Sequence, residues 1–343
     1  MKKIVSLILA VVLVAAMFVS CADKNDTAVV SSKTESVAPT SYDINIAALA
    51  GPTGMGMAYM LGSDDTINNY NYTIASSPDE VTSKLLTGTY DIAALPTNVA
   101  ATLYNGSQGK VQLLALNTLG VLYVLEKGDT IKSVKDLKGK TIYISGQGST
   151  PEYVVRYLLE ENGIDSNKDV KLDFTYTAHA DLVAYAASGK ADVVVLPEPT
   201  VTALLAQNSD MRVALDLNDA WADVVADDDD DDDDESIISM GCVAVRTEFA
   251  EKNPEAVENF LKDYEASVKK VNEDHAAASE KIAELGIVAK PAVALKALPR
   301  CNIVFVSGRK MKAQIEEFYE LLFDANPKSI GGKLPDDKFY YIG

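Results

Sequence analysis

One stretch of this chain is written twice. From Glu80 the sequence reads EVTSKLLTGTYDIAALPTNVAATL, and from Asp181 it reads DLVAYAASGKADVVVLPEPTVTALL, aligned without a gap at an offset of 101 residues. Gly88 matches Gly189, Asp91 matches Asp192, Leu95 matches Leu196 and Pro96 matches Pro197. Both copies obey the same physics. An amphipathic helix ends at a glycine, which takes the left-handed position past a helix end with no Cβ penalty. A strand follows that is apolar at nearly every position, as burial on both faces requires. Leu-Pro then stops the strand, and a second helix begins.

The flanks extend the match. Before the first copy lie a strand (Asp43 to Leu49), a Gly-rich turn, a helix and a strand (Tyr70 to Ala75). Before the second lie a strand (Lys140 to Ser145), a Gly-rich turn, a helix (Pro151 to Glu161) and a strand (Val170 to Thr177). One more strand follows each copy, near Val111 to Leu116 and near Arg212 to Leu215. Strands alternating with helices imply parallel sheet and right-handed crossovers. The expected fold is α/β with two similar lobes, each a mostly parallel sheet flanked by helices. Ser77-Pro78-Asp79-Glu80 reads as a capping box with proline at the first helical position. Asn253-Pro254-Glu255 starts another helix, whose Val257, Phe260, Leu261, Tyr264 and Val268 share one face. The chain after Ser236 returns through a strand (Ile238 to Val245), turns helical to about Phe323 and does not repeat the pattern. It is expected to complete lobe one, giving 42–127 plus 237–343 for lobe one and 128–236 for lobe two.

The N-terminus sets the compartment. Met1-Lys2-Lys3 precedes an apolar run from Ile4 to Val19, the length of a signal h-region and short for a membrane span. The run ends at Phe18-Val19-Ser20-Cys21, which resembles the bacterial lipobox, with Phe18 where leucine is commoner. The expectation is a signal peptide over 1–20, a lipid (palmitate) on Cys21 and a Ser/Thr-rich tether over 21–41. Of the other two cysteines, Cys242 and Cys301, both a disulfide and two buried free thiols stand as readings. The net charge of −19 argues against nucleic-acid and anionic-lipid partners. Nine of those charges come from Asp227 to Asp234 and Glu235. The tract 226–235 lacks the alternation and glycine turn of a calcium loop and reads as a solvated insertion.

In open α/β sheets, ligands bind beyond the C-terminal ends of the strands. In lobe one those ends read Gly51-Pro52-Thr53-Gly54-Met55, Ser76-Ser77 and Pro96-Thr97-Asn98. In lobe two they read Gly146-Gln147-Gly148-Ser149-Thr150, Ala178-His179 and Pro197-Glu198-Pro199-Thr200. Several run straight into helix starts, where unpaired N–H groups and the helix dipole favour an anion or a strong acceptor. No Lys or Arg lies in these loops, so an anion there would be held by dipoles and hydroxyls. Glu198 is their only formal charge, and it either meets a cationic group or caps the helix at Thr200. Met55, Met57, Met240, Tyr104 and Tyr123 are candidate apolar walls.

Together, INIAALAGPTGMGMA, TGTYDIAALPTN, SVKDLKGKTIYISGQGSTPE, GKADVVVLPEPTV, SMGCVAVRTEF and FAEKNPEAVENFL resemble the substrate-binding lipoproteins of ABC importers. Within them the chain is similar to the group that holds the nitrate, sulfonate, taurine and thiamine-precursor binding proteins. The resemblance implies a class II periplasmic-binding-protein fold with the ligand cleft between lobes that close by hinge bending. We place the two crossings near Leu125 to Gly128 and near Ile237 to Cys242. It further implies capture of a small polar or anionic solute without a cofactor. The carrier would be a lipid-anchored monomer on the extracytoplasmic face of the cell membrane, with a cognate permease and ATPase as partners. A pyrimidine-type thiamine precursor is the alternative cargo. A thiamine-precursor synthase-like enzyme and an extracellular sensor are the alternatives of other classes. Against the enzyme, the chain has only His179 and His275, neither in a cluster with Cys or acid, and no HExxH, GxSxG or Walker loop.

Overall fold

The computed structural model describes residues 39–145, 147–225 and 237–343. The leader, Cys21, the tether up to residue 38, Gly146 and the acidic tract 226–235 lie outside the described residues.

The first half of the repeat gives β1 (Asp43–Leu49), α1 (Pro52–Met55), β2 (Asn69–Ala75), α2 (Asp79–Leu86), β3 (Ile92–Pro96), α3 (Thr97–Ser107) and β4 (Val111–Thr118). The second gives β5 (Leu122–Lys127), β6 (Thr141–Ile144), α4 (Thr150–Glu161), β7 (Lys171–Asp173) and α5 (His179–Ala187). It continues through β8 (Val193–Pro197), α6 (Thr200–Gln207), β9 (Met211–Asp216) and α7 (Leu217–Val225). The return adds β10 (Gly241–Arg246), α8 (Thr247–Lys252), α9 (Pro254–Glu273), α10 (His275–Glu284), α11 (Pro291–Ala297), β11 (Ile303–Ser307) and α12 (Gly308–Ala325). Gly88 and Gly189 both close their helices at positive φ, 81° and 77°. The expected capping box does not form: Pro78 is the N-cap of α2 rather than its first residue, without a side-chain cap, and the Glu80 carboxylate instead accepts from the Ser76 N–H at 3.3 Å.

Two sheets result, in the orders β11-β4-β10-β3-β1-β2 and β7-β6-β8-β5-β9. β1 runs parallel to β2 and β3, and β6 runs parallel to β7 and β8. Each time the chain crosses, it enters the new sheet on an antiparallel strand. β5 inserts between β8 and β9, and β10 inserts between β3 and β4. The repeat extends to single hydrogen bonds. The Thr97 N–H donates to the Met240 carbonyl at 3.1 Å, and its counterpart Glu198 donates to Val121 at 3.0 Å.

This pairing corrects the first crossing. The strand Leu122–Lys127 belongs to the second sheet, so the chain leaves lobe one at Leu119-Gly120-Val121 rather than near Leu125 to Gly128. Its apolar sequence fits either sheet, and only its hydrogen-bond partners assign it. Two further expectations change. β7 spans three residues instead of Val170 to Thr177. The helical tract before Phe323 is interrupted by β11, which pairs with β4 at the sheet edge.

In lobe one, α12 and α3 cover one sheet face, and α1, α9, α10 and α11 cover the other. In lobe two, α4 and α7 lie on one face, and α5 and α6 on the other. One buried cluster continues from the α12 face into the α4–α7 face. There Trp221, the only tryptophan in the chain, packs between Tyr157 of lobe two at 4.8 Å and Phe318 of lobe one at 5.9 Å. Cys242 lies in that cluster and Cys301 in the cluster on the opposite face of the sheet; both are buried free thiols. Burial raises the pKa of each.

Candidate functional site: two opposed strand edges

Register decides what faces what. Gly241 pairs with both Pro96 and Thr118, so the ends of β3 and β4 and the start of β10 share one edge of lobe one. Leu122 pairs with Pro197, so the start of β5 and the end of β8 share one edge of lobe two. Between Thr118 and Leu122 lie only Leu119, Gly120 and Val121. A link that short keeps these two edges close, with the Thr97 and Glu198 N–H groups at the strand ends each bonded to a crossing residue, Met240 and Val121.

The strand-end loops singled out in the sequence are not equally available to a ligand. Pro52, Thr53, Pro96, Asn98, Pro197 and Met240 are half-buried, and Ser76, Gly148 and His179 are exposed. Ser149 is half-buried and is engaged. Met55 and Met57 are fully buried in the core of lobe one, and Tyr104 and Tyr123 are buried too, so they form core rather than cleft wall. Gly51 is buried at a φ of 96°. Gly54 is a packing glycine, since a Cβ there would sit 2.2 Å from the Leu49 carbonyl oxygen. Thr97 is 1% exposed, and its hydroxyl donates to the Ser239 carbonyl at 2.6 Å. Thr150 is buried as well. Asn117, which sequence reasoning passed over, fixes the Thr53 loop by donating to the Thr53 carbonyl at 3.0 Å.

Glu198 resolves toward capping, with an addition. Its carboxylate accepts from the Thr202 N–H at 3.1 Å, near the start of α6. It also accepts from the Arg300 Nε at 2.6 Å, with its own side chain fully buried and that of Arg300 one-third exposed. Arg300 comes from lobe one, in the turn between α11 and β11. The same turn grips the crossing, because Asn302 donates to the Gly120 carbonyl and Tyr123 donates to the Arg300 carbonyl at 3.0 Å. The cation missing from the cleft loops is thus supplied 102 residues away in sequence. No local pattern marks it.

Lobe two's Gly-rich loop is also already engaged. The Gly148 N–H donates to the Glu152 carboxylate at 2.7 Å, and the other oxygen of Glu152 accepts from the Arg156 Nε at 2.7 Å. These residues line a cavity of about 870 Å³ whose other wall is Leu321, Asp324 and Asn326 of lobe one. Asn326 reaches across to donate to the Tyr153 hydroxyl at 2.7 Å.

His179 starts α5 and pairs through Nδ1 with the Ser145 hydroxyl. Its ring is exposed yet walled by protein, and that desolvation lowers its pKa, favouring the neutral form. Ser145 is 1% exposed, so its hydroxyl fixes a ring and offers no substrate an open nucleophile. Among the described residues, no group of His, Cys, Asp and Glu is placed to hold a metal, and no helix is long and apolar enough to cross a membrane.

Two α/β lobes, each entered by the chain on an antiparallel strand inserted into its sheet, define the bilobal class II periplasmic-binding-protein fold. The family model for the ABC transporter, phosphonate, periplasmic substrate-binding protein matches residues 66–284, and the chain belongs to that family. It is similar to an ABC transporter structure from Parabacteroides distasonis, with 26% identity, a TM-score of 0.72 and coverage of 87% of this chain and 98% of that one. The fold is also that of the periplasmic aliphatic sulphonate binding protein SsuA from Escherichia coli, at 15% identity and a TM-score of 0.67, covering 87% and 92%. The periplasmic nitrate-binding protein NrtA from Synechocystis matches at 16% identity and a TM-score of 0.51, covering 72% and 67%. No curated protein matches by sequence.

Proposed function

We propose that this chain captures a small oxyanionic solute, of the nitrate or sulfonate kind, between its lobes and delivers it to the permease of an ABC importer. The observation that carries the reading is the pair of strand edges kept close by a three-residue crossing, in a chain of this family. Two features of lobe one suit an oxyanion. α3 begins at the end of β3 with no acidic residue in its first turn, so its dipole stays unopposed. Thr53 and Asn98 add a half-buried hydroxyl and amide. The lobes divide at Leu119–Val121 and again before Gly241, and hinge bending there closes them on the solute. A lipid on Cys21 holds the monomer at the extracytoplasmic face of the membrane. Binding leaves the solute unchanged, so it is recovered intact after long incubation.

The test is a thermal-shift screen over oxyanions, sulfonates, taurine, thiamine precursors and amino acids, read alongside Trp221 fluorescence. A ligand at one hundred times its dissociation constant adds about 2.7 kcal/mol to folded-state stability. Because Trp221 packs on rings of both lobes, closure also changes its emission. A melting temperature and an emission that no oxyanion moves would sink the reading. A response confined to thiamine precursors would replace its cargo.

A further inference from the structure

We propose that Asn117 is a positioning residue for the lobe-one half of the site: its amide holds the Thr53 turn on the strand edge where β3 ends, so that the Thr53 hydroxyl is in place before a solute arrives. The proposal rests on the solute-capture reading and names a residue that sets affinity without touching the ligand.

Asn117 lies near the end of β4 and is fully buried. A buried amide is costly unless its polar atoms are paired. A break in strand register explains where this one points. Gly241 of β10 pairs with Thr118 and Cys242 pairs with Leu116, so Asn117 is the extra residue of a β-bulge. A bulge takes a side chain out of the regular alternation and re-aims it. Here the amide nitrogen donates to the Thr53 carbonyl at 3.0 Å and to the Cys242 carbonyl at 3.1 Å. The amide oxygen accepts from the Thr118 hydroxyl at 3.0 Å. Two carbonyls can only accept, so the orientation of the amide is fixed. Both of its N–H donors are spent inside the protein, and Asn117 acts on a solute only through what it holds.

What it holds is a weak turn against a rigid edge. Thr53 is half-buried in α1, a helix of four residues with Gly51 at its N-cap and no side-chain cap. A single turn of helix does not sustain itself. Cys242 pairs with Leu95, beside the Pro96-Thr97 step where β3 gives way to α3. One amide therefore ties the Thr53 turn to the edge that carries Asn98. Order supplied by the protein is order the solute does not have to impose, and that saving appears as affinity. Gly241 completes the arrangement from the other side. A Cβ there would stand 2.5 Å from the Asn117 oxygen, so glycine is what leaves the amide its place.

The experiment uses the full chain, with nitrate, methanesulfonate and methylphosphonate as probes titrated calorimetrically, and follows the probe that wild type binds most tightly. The readout is a double-mutant cycle on affinity between Asn117→Ala and Thr53→Val. Asn117→Ala should weaken binding about tenfold, as the loss of two buried hydrogen bonds behind the site would. Thr53→Val should weaken wild type about fivefold, yet weaken the Asn117→Ala protein less than about twofold, because a displaced hydroxyl has little left to lose. A merely structural role lowers stability in urea and leaves the Thr53 effect equal in both backgrounds; that additivity overturns the positioning role and leaves solute capture standing. So does a Thr53→Val protein that binds as wild type does. Where Asn117→Ala does not fold, Asn117→Ser keeps one hydroxyl donor and carries the same cycle, with an expected loss of about threefold. Failure of wild type to bind any of the three probes overturns the capture reading, and the positioning role with it.

Discussion

Lobe one and lobe two start from one repeated pattern, yet they spend their matched residues differently. Asp91 and Asp192 occupy the same place in the repeat, one residue before the apolar strand. Both backbones do the same work: Arg246 N–H donates to the Asp91 carbonyl at 2.9 Å, and Lys127 N–H donates to the Asp192 carbonyl at 2.7 Å. Their side chains part company. Asp91 is buried, accepts from Asn45 N–H at 3.1 Å and pairs with Arg246 at 3.0 Å, whereas Asp192 is exposed. Thr97 and Glu198 diverge in the same way. Thr97 is spent inside lobe one, and Glu198 is tied across the gap to Arg300. The backbone of the repeat follows from local pattern, while the role of each polar side chain depends on what the rest of the chain packs against it. Lobe one carries the added α8–α12 and β11, so it supplies most of the new partners.

The comparison can be broken most sharply at the aspartates. Asp91→Ala leaves the nearly buried Arg246 guanidinium with only the exposed Glu248 as counter-charge and should cost about 3 kcal/mol, by the usual penalty for breaking a buried pair. Asp192→Ala should stay within about 0.5 kcal/mol, as exposed substitutions do. Urea melts of the two variants check the contrast, and equal losses would show that the lobes use this position alike. Next comes the Thr97 and Glu198 position. Arg300→Ala leaves the buried Glu198 carboxylate with Thr202 alone and should cost about 2 kcal/mol, less than a fully buried pair because Arg300 is partly solvated. Thr97→Val loses one buried hydrogen bond, about 1 kcal/mol. The smallest contrast sharpens the shared part. Gly88→Ala and Gly189→Ala each place a Cβ at positive φ, and neither Cβ meets an atom closer than 3.5 Å. Both should cost about 1 kcal/mol and match each other, since backbone strain alone sets the effect. A clear difference would mean that the Arg246 side chain beside Gly88 matters.

Much of the fold was legible because its signals are local. Gly88 and Gly189 announce their helix ends, and Ile92–Pro96 and Val193–Pro197 announce strands buried on both faces. The turn loops could be named for the same reason. What a loop offers a ligand was less legible. Gly148 reads as an open N–H donor until Glu152, four residues on, folds back onto it. That contact has a sequence trace, since an acid in the first turn of a helix commonly reaches back to the preceding N–H groups. Met55 reads as a cleft wall and is core, because the short turn of α1 points it inward.

From sequence alone come the repeat, the α/β class, the helix stops and the places where loops end strands. Each is a matter of φ preference and hydrophobic period within about a dozen residues. Only the tertiary structure decided that β5 belongs to lobe two, that Arg300 meets Glu198, and that Trp221 lies between Tyr157 and Phe318. A strand finds its hydrogen-bond partners, and a buried charge its counter-charge, wherever packing brings them, and that distance along the chain leaves no local mark.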